Sequence, residues 1–369
     1  MSTPSQRIAQ IVADGRPGGG TTMVLGLIDD LRAGGYEQLT VVSQPRSYMA
    51  EQVQKRGLPF IDFDFFTGFA DIGLPRRLAR RLGECRFELT HLHGLRAAHT
   101  AVRWPVRECL GRLVYTVHGL HQLHQAAWLR WLANAAERQV MRRVDVRVFV
   151  SRADRAAAEA SRLMPRGWAC QVVYNGIELP PLGVETGGSR DIDVAFVGRH
   201  VAQKAPLAAA RVLATLAMRG YRCVMAGDGP LRPACEALLQ QIPGGNRVER
   251  WGDLSQVEAL GLLARTRLLV MPSRWEGLPL LPMEAMALGV PVVASRLAGI
   301  AEVVDDDATG VLTPPGNENA MVDASHALLS DPQRLKRLQE AARRRVGELF
   351  DRGQSSAQYR RLYGQLLSP

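Results

Sequence analysis

The residues best suited to chemistry lie in a proline-rich segment over positions 271–287, which carries two glutamates, Glu276 and Glu284. An apolar strand is predicted to end where this segment begins, and Pro279 and Pro282 favour the start of a helix after it. The sequence therefore predicts that Glu284 lies in the first helical turn. Helix N–H groups there can bind phosphates, while the carboxylate accepts hydrogen bonds from a ribose diol. Glu276, in the preceding loop, is placed to orient the hydroxyls of a sugar.

A second segment with phosphate-binding character covers positions 197–205 and carries Arg199 and Lys204. A glycine turn followed by two cations suits a diphosphate that is held from two sides. Lys204 is one of three lysines in a chain that otherwise uses arginine, so a general need for positive charge does not account for it. A compact ammonium beside a leaving phosphate does account for it, and we interpret both cations as functional.

Three glycine-containing turns are weaker candidates, because ordinary strand-to-helix turns explain each of them equally well. The first consists of Gly18, Gly19 and Gly20. It precedes a predicted helix, where backbone N–H groups can approach a phosphate. The other two, at Gly227 and at Gly252-Asp253, follow predicted strands, where a flat nucleobase can lie against the backbone.

His118 is the histidine with the best case for function, because it ends a predicted strand and precedes Gly119. Histidine suits hydrogen bonding to a sugar hydroxyl, or a transient charge. A lone histidine is commonly structural, and both interpretations stay open at this point. His91 and His93 lie on one face of another predicted strand, and they are too few to form a metal site.

Apolar strand-like runs alternate with helix-length segments, which predicts parallel sheets with crossover helices. The predicted strands cover residues 8–12, 39–43, 89–92, 113–117, 146–150 and 172–174, then 192–197, 222–226, 247–251, 268–271, 290–294 and 310–312. Prolines and glycines over residues 179–190 predict a linker. We therefore expect two doubly wound, Rossmann-like α/β domains over residues 1–178 and 191–350, and a final helix over 351–369 that returns to the first domain.

Composition fits a two-domain globular protein, since 46% of the 369 residues are apolar and 22% are charged. The net charge is +10, and residues 1–178 hold 24 Lys and Arg against 16 Asp and Glu. Two segments concentrate this charge: Arg76, Arg77, Arg80 and Arg81, and then Trp128, Arg130, Trp131, Arg138, Arg142 and Arg143. A solvated arginine-rich face is the favoured interpretation, and an interfacial membrane-binding helix is the alternative. No recognition-helix or zinc-finger pattern accompanies the charge, so a nucleic-acid partner is not expected.

The cysteines and the start of the chain bear on the compartment. Five scattered cysteines without a Cys-x-x-Cys pair predict neither a disulfide framework nor a zinc site. The first residues lack the pattern of a secretory signal, and no apolar run reaches bilayer-spanning length. We expect a cytoplasmic protein, with peripheral attachment to the inner face of a membrane as the open alternative.

Together these motifs resemble the family 4 retaining glycosyltransferases over nearly the whole chain. Glu276 and Glu284 match the family's Glu-x7-Glu motif, and the flanking Pro-Ser-Arg-Trp-Glu-Gly-Leu-Pro and Glu-Ala-Met-Ala-Leu-Gly-Val-Pro are typical of it. The segment that ends at Lys204 resembles the family's phosphate-binding segment, and residues 173–178 resemble its signature at the end of the first domain. Ala205 stands where glycine is usual, and the acceptor-side residues match no subgroup.

The resemblance implies a GT-B architecture, in which two domains face each other across a cleft. It implies transfer of a sugar from a nucleotide-diphosphate donor to a hydroxyl of a glycan or lipid-linked acceptor, in bacterial envelope or exopolysaccharide synthesis. By this resemblance Arg199 and Lys204 neutralise the diphosphate, Glu284 holds the ribose, Glu276 contacts the donor sugar and His118 lies beside the reacting centre. The expected donor contacts are Gly18, Gly19, Gly20, Arg199, Lys204, Gly227, Gly252, Asp253, Gly277, Leu278, Leu280 and Glu284.

The mechanism is open to several interpretations. A double displacement needs a nucleophilic carboxylate beside the anomeric carbon, and none stands out in the sequence. The resemblance implies a front-face displacement instead, in which the leaving diphosphate helps to deprotonate the acceptor. The Asp-x-Asp patterns at 62–64, 191–193 and 305–307 lie away from the phosphate motifs, so no metal or other cofactor is expected. The alternatives are an inverting transferase with His118 as general base, a nucleotide-sugar epimerase, and a non-catalytic, basic, membrane-associated protein that binds nucleotide sugars.

Overall fold

The structure, a computed structural model, describes residues 6–67, 71–124, 126–165, 167–179 and 190–368. The chain forms two compact units, one of Met1–Gly176 with Arg352–Pro369 and the other of Ile177–Asp351. The domain boundaries predicted at residues 178 and 350 lie within two residues of these. The predicted linker over 179–190 lies outside the described residues, apart from its first and last positions.

The first unit is built on a seven-stranded parallel sheet in the order β3-β2-β1-β4-β5-β6-β7. Its strands are β1 Ile8–Val12, β2 Leu39–Ser43, β3 Phe60–Asp62, β4 Leu89–His93, β5 Arg112–Val117, β6 Val146–Phe149 and β7 Cys170–Val172. Its helices are α1 Gly19–Ala33, α2 Tyr48–Lys55, α3 Leu74–Leu82, α4 Leu95–Ala101, α5 Ala127–Arg143, α6 Arg152–Ala160 and α14 Arg352–Leu367. Every residue of β1 and β4 is buried, because helices cover both faces of the sheet.

The last helix, α14, belongs to the core of this first unit. Its Tyr359, Leu362 and Tyr363 are buried in one apolar cluster with residues of α1 such as Ile28 and Leu31. The helical spacing of these three side chains gives α14 one apolar stripe, and that stripe explains the packing.

The second unit contains a six-stranded parallel sheet in the order β10-β9-β8-β11-β12-β13. Its strands are β8 Ile192–Val197, β9 Cys223–Ala226, β10 Val248–Trp251, β11 Thr266–Met271, β12 Val292–Ser295 and β13 Gly310–Thr313. Its helices are α7 Pro206–Met218, α8 Arg232–Gln241, α9 Gln256–Ala264, α10 Leu280–Ala287, α11 Ala298–Val303, α12 Glu318–Ser330 and α13 Pro332–Leu349. The predicted fold class, two doubly wound α/β domains, is confirmed.

Two details of the first sheet differ from the sequence-based prediction. The sequence does not predict β3, and it places β7 at 172–174, whereas the strand covers Cys170–Val172. Both are three-residue edge strands, and all of their residues are only partly buried. An edge strand pairs on one side only, so its apolar pattern is weak and its ends are poorly marked in the sequence.

Candidate active site

The strongest candidate residues of the second unit meet at one edge of its sheet. The strands β8 and β11 are neighbours and parallel, so the loops that follow Val197 and Met271 leave the sheet side by side. Chain order reverses between these two strands, since β8 also pairs with β9 on its other side. In open α/β sheets this switch point, at the carboxyl ends of the strands, is where ligands bind.

A largely buried ion pair joins the two loops. The Nζ atom of Lys204 lies 2.6 Å from Oε1 of Glu276, and the two side chains are 17% and 5% exposed. The hydroxyl of Ser273 donates to the same carboxylate at 2.8 Å, and the amide of Gln203 donates to its other oxygen at 3.2 Å. Glu276 is thus held by three side-chain donors, which fixes its position in a partly desolvated site.

Gln203 and Ser273 are functional candidates that sequence reasoning missed. Gln203 also donates to the carbonyl of Trp275 at 3.1 Å and accepts from the backbone of Arg274 at 2.8 Å, so it ties the two loops together. The signal in the sequence was slight: Gln203 directly precedes Lys204, and Ser273 stands three residues before Glu276.

The predicted position of Glu284 in the first helical turn is wrong. The helix α10 begins at Leu280 with Pro279 as its N-cap, so Glu284 lies in the second turn. Pro282 occupies the first turn, where a missing N–H breaks no helical hydrogen bond, and the helix continues past it.

Glu284 is nevertheless well placed to accept hydrogen bonds. Burial raises the pKa of its carboxyl, and a hydrogen bond at 3.3 Å from the amide of Gln256 partly offsets this. A desolvated carboxylate with lone pairs left over favours a ligand that brings hydroxyl donors. A ribose diol has this chemistry.

Glycines let the loops after β8 and β9 pack backbone against backbone. A Cβ atom on Gly227, whose φ is +129°, would lie 2.0 Å from the carbonyl oxygen of Gly198. A Cβ on Gly229, with φ of +147°, would lie 2.8 Å from the carbonyl oxygen of His200. Gly227 therefore has a structural reason to be glycine, whether or not a base lies against it.

Gly277, which follows Glu276, is held by a close contact with another glycine. A Cβ atom on Gly299, in α11, would lie 1.5 Å from the carbonyl oxygen of Gly277. The obstructing atom belongs to the backbone, so a change of side-chain rotamer could not relieve this overlap.

We expect Gly299→Ala to lower the free energy of unfolding by about 1–3 kcal/mol, because the added methyl displaces the Glu276 loop. Gly261→Ala on α9 is the matched control, since a Cβ there meets no atom within 4 Å. The control should be neutral, or more stable by about 0.5–1 kcal/mol. Denaturant unfolding of both variants checks this, and equal stabilities would contradict it.

The remaining predicted donor contacts of the second unit differ in which of their groups a ligand could reach. Arg199 and Asp253 are exposed, so their side chains are accessible to a ligand. Leu278 and Leu280 are 5% and 8% exposed, so donor contacts at these positions fall to the backbone. Leu280 is the first residue of α10, and its N–H is one of the groups that a helix leaves without an internal partner. Gly252 contributes its carbonyl, which accepts from the N–H of Gly227 at 3.0 Å.

A cavity of about 680 Å³ adjoins the ion pair within the second unit. Ser273, which donates to Glu276, lines this cavity together with Arg274. The other walls come from the ends of β12 and β13 and from the first turns of α7 and α12. Its size suits a small ligand, and its lining is mainly apolar with a few polar side chains.

In the first unit, His118 directly follows β5. The glycine run lies at the start of α1. Gly18 is the N-cap of α1, and Gly19 and Gly20 form its first residues, without a side-chain cap or an acidic residue in the first turn. His118 is partly exposed, and its Nε2 lies 3.1 Å from Nδ1 of His93. Both features lie at the carboxyl edge of the first sheet.

A buried carboxyl with a shifted pKa lies behind this edge. Glu137 of α5 accepts hydrogen bonds from the hydroxyl of Tyr115 at 2.8 Å and from the amide of Gln122 at 3.3 Å. Burial raises its pKa to about 7 despite these two donors. Gln122 lies four residues after His118, so Glu137 is hydrogen-bonded to the segment that carries the histidine.

Glu137 should make stability depend on pH. Its pKa rises from 4.5 to about 7 on folding, so the folded state binds the extra proton and stability falls as pH rises between these values. This shift corresponds to a fall of roughly 3 kcal/mol in the free energy of unfolding. The fall should be absent in Glu137→Gln, because glutamine does not titrate. Urea unfolding at a series of pH values tests it against Glu51→Gln, an exposed control on α2. Parallel curves for wild type and Glu137→Gln would contradict it.

The described residues contain no group of three or more His, Cys, Asp or Glu side chains that could hold a metal ion. In each Asp-x-Asp pattern at least one carboxylate pairs with an arginine. Asp62 pairs with Arg81, Asp191 lies 2.6 Å from Arg265, and Asp307 lies 2.5 Å from Arg334. That the reaction needs no metal stays a prediction from the sequence.

Solved structures with the same fold cover nearly all of the chain. Sucrose-phosphate synthase of Thermosynechococcus elongatus superimposes with a TM-score of 0.80 at 21% identity, over 98% of this chain and 99% of the other. HepE of Anabaena, in a complex with UDP and glucose, gives a TM-score of 0.81 at 19% identity, over 97% and 99%. These likenesses show that the fold is GT-B.

Two curated relatives are matched over part of their length. Alpha-D-kanosaminyltransferase of Streptomyces kanamyceticus is 35% identical over 151 residues, which are 40% of this chain and 39% of that protein. Glycogen synthase of Mycobacterium tuberculosis is 28% identical over 278 residues, 72% of this chain and 66% of that protein. The chain thus spans between about two fifths and two thirds of the length of these relatives.

The fold, the edge-of-sheet site and these relatives define a glycosyltransferase. Residues 17–179 match the family model described as Glycosyltransferase Family 4, and residues 186–345 match the model described as Glycosyl transferases group 1. The chain belongs to the family 4 glycosyltransferases, and the resemblance drawn from its Glu-x7-Glu motif is confirmed.

Proposed function

We propose that the protein transfers a sugar, with retention of the anomeric configuration, from a nucleotide-diphosphate donor bound by the second unit. The observation that carries this proposal is the buried pair of Lys204 and Glu276, with the desolvated Glu284 on the helix that follows. Two carboxylates and a cation at the switch point of the sheet match the three parts of such a donor, which are sugar, diphosphate and ribose.

The pair suggests how the site changes when the donor binds. Lys204 neutralises Glu276 in the unliganded protein, which limits the desolvation penalty of both ions. A diphosphate offers Lys204 a stronger partner, and Arg199 adds a second cation. Glu276 then accepts hydrogen bonds from the sugar hydroxyls while Ser273 and Gln203 keep it in place.

The reaction would be driven by stabilisation of the leaving group. As the bond between the anomeric carbon and the diphosphate oxygen breaks, negative charge grows on the diphosphate, and Lys204 and Arg199 stabilise it. The acceptor hydroxyl attacks from the same face and passes its proton to the departing diphosphate. We assign His118 to a hydrogen bond with a substrate hydroxyl beside the reacting carbon.

The anomeric configuration of the product separates this proposal from its main alternative. An inverting transferase would use His118 as a general base and reverse the configuration. UDP-glucose is the first donor to try, since solved structures of HepE hold UDP and UDP-glucose. Proton NMR of the released or transferred sugar should show the α-anomer from an α-donor, and an initial β-product would favour the inverting alternative.

An anionic membrane surface is the partner we propose for the first unit. Residues 126–132, at the start of α5, are all exposed, and Trp128 and Trp131 are each 66% exposed. Arg130 lies between them. Tryptophan and arginine on one helical end are typical of segments that bind at the interface of anionic bilayers. In the part of the chain that the structure describes, no helix has the length and apolar character needed to cross a bilayer.

Vesicle flotation tests this surface directly. Wild type should float with phosphatidylglycerol vesicles and to a smaller extent with phosphatidylcholine vesicles. The double variant Trp128→Ser/Trp131→Ser should bind phosphatidylglycerol vesicles on the order of tenfold more weakly. Val257→Ser on α9 is the control, because Val257 is apolar and 79% exposed in the other unit. No flotation at low salt, or an equal effect of the control, would exclude this surface. An acceptor linked to lipid, as in envelope glycan synthesis, would agree with a positive result.

A further inference from the structure

A continuous chain of hydrogen bonds runs through the core of the first unit and ends at His118. It passes from His118 through His93 to Gln10 on β1, with distances of 3.1 and 2.8 Å. From Gln10 it continues to the hydroxyl of Tyr363 on α14, at 3.0 Å. It then reaches His91 at 2.6 Å, Thr116 at 2.6 Å and Tyr359 at 3.2 Å.

The interior members of this chain are buried and uncharged at neutral pH. Gln10, His91, Thr116 and Tyr363 are completely buried, and His93 is 4% exposed. Burial holds the pKa of His91 and of His93 well below the usual value, so both rings are neutral. Burial also raises the pKa of Tyr359 to about 12 and that of Tyr363 further, so both phenols keep their protons.

Gln10 is the member whose donor and acceptor ends are chemically distinct. A neutral imidazole, a phenol or a hydroxyl can exchange the donor and acceptor roles, whereas an amide nitrogen donates and an amide oxygen accepts. The amide nitrogen of Gln10 donates to Tyr363, so its oxygen accepts from His93. The direction of each bond from His118 to Thr116 follows from this one side chain, and between Thr116 and Tyr359 either hydroxyl can donate.

The direction can be followed in both senses from Gln10. Towards His118, the ring of His93 carries its proton on Nε2, so its Nδ1 accepts from Nε2–H of His118. Towards α14, Tyr363 accepts from Gln10 and therefore donates to Nδ1 of His91. His91 then donates from Nε2 to Thr116, and no donor or acceptor in the chain is used twice.

We propose that Gln10, anchored by Tyr363, is a positioning residue that sets the tautomer of His118. His118 then carries its proton on Nε2 and its lone pair on Nδ1. Nε2 of His118 faces the neutral imidazole of His93. In a Ser-His-Asp triad the corresponding partner is a carboxylate, which stabilises the protonated ring. This arrangement suits a histidine that accepts a hydrogen bond from a sugar hydroxyl better than one that takes its proton. The hydrogen bond with a sugar hydroxyl rests on the proposed function, whereas the tautomer of His118 does not.

Long-range proton–nitrogen NMR of the unliganded protein with ¹⁵N-labelled histidine measures the tautomer, and His118→Asn assigns its signals. We expect the Nε2–H form of His118 in about tenfold excess, because the other form breaks buried hydrogen bonds. Gln10→Glu keeps an acceptor towards His93 and should keep this form. Gln10→Leu should populate both forms, and so should Tyr363→Phe, which frees the amide while leaving the ring packed.

Each outcome decides between the two parts of the proposal. A wild-type His118 with its proton on Nδ1 would overturn the proposal outright, whether or not any variant folds. An Nε2–H signal that is unchanged in Gln10→Leu and Tyr363→Phe would show that Gln10 does not set the tautomer. If the tautomer shifts as expected but the protein transfers no sugar, the proposed function fails and the positioning role stands. A transferase whose Gln10→Glu variant keeps kcat while Gln10→Leu loses it would support both.

Discussion

Lys204→Met is expected to lower kcat of sugar transfer by about 100- to 1000-fold, because the leaving diphosphate loses a cation placed for its developing charge. The side chain is 17% exposed, so the ammonium acts in a partly desolvated site where water does not replace it. Steady-state kinetics measures the effect, with the nucleotide sugar that the wild-type protein turns over as the donor. Lys336→Met on α13 is the matched control, since Lys336 is exposed and lies in the same unit.

The Lys204 variant has a second expected effect, which must be separated from the first. Removing the ammonium leaves Glu276 buried and unpaired, and a broken buried pair lowers stability by about 3–5 kcal/mol. Thermal unfolding measures this loss. A variant that is less stable but fully active above the donor concentration needed for saturation would contradict the catalytic role of Lys204 and leave it a structural one.

Glu276→Gln is expected to have the second large effect, a fall in kcat of roughly 100-fold with a smaller change in stability. Glutamine keeps one oxygen, which can still accept from Lys204 and Ser273, while its amide nitrogen replaces the oxygen that accepts from Gln203, so the loop keeps two of its three contacts. The lost charge weakens the hydrogen bonds that a carboxylate would accept from sugar hydroxyls. Glu340→Gln is the control, as Glu340 is exposed on α13.

The double variant Lys204→Met with Glu276→Gln separates stability from catalysis. It contains neither ion of the pair, so it should regain most of the stability that Lys204→Met loses. Turnover should stay at or below that of the weaker single variant, because both substrate contacts are gone. Recovery of activity together with stability would mean that the ion pair holds the fold and does not serve the reaction.

The fold was largely predictable because parallel strands leave strong signals. Strands such as β8 and β11 are buried on both faces, and they appear in the sequence as apolar runs followed by glycine or proline turns. Since ligands bind where such strands end, Lys204, Glu276 and Glu284 could be selected as candidates from their residue types and their places near strand ends. The edge strands β3 and β7 were missed or shifted, because partial burial gives them little pattern.

The contacts inside the site could not be predicted from the sequence. Lys204 and Glu276 are 72 positions apart, and they meet because β8 and β11 are neighbours in a sheet whose order differs from the chain order. Gln10 and Tyr363 are separated by 353 positions. Their hydrogen bond exists because the last helix packs on the first sheet, and no local pattern in either segment encodes the pairing.

Nucleotide binding tests the central claim most directly. Thermal unfolding of wild type, Lys204→Met and Glu284→Ala should be followed with UDP, ADP, GDP and dTDP, each alone and as its sugar conjugate. We predict that one nucleoside diphosphate raises the Tm of wild type in proportion to its occupancy, and that both variants lose this increase. If no nucleoside diphosphate raises the Tm of wild type, or if the variants respond as wild type does, the second unit does not bind the donor through these residues.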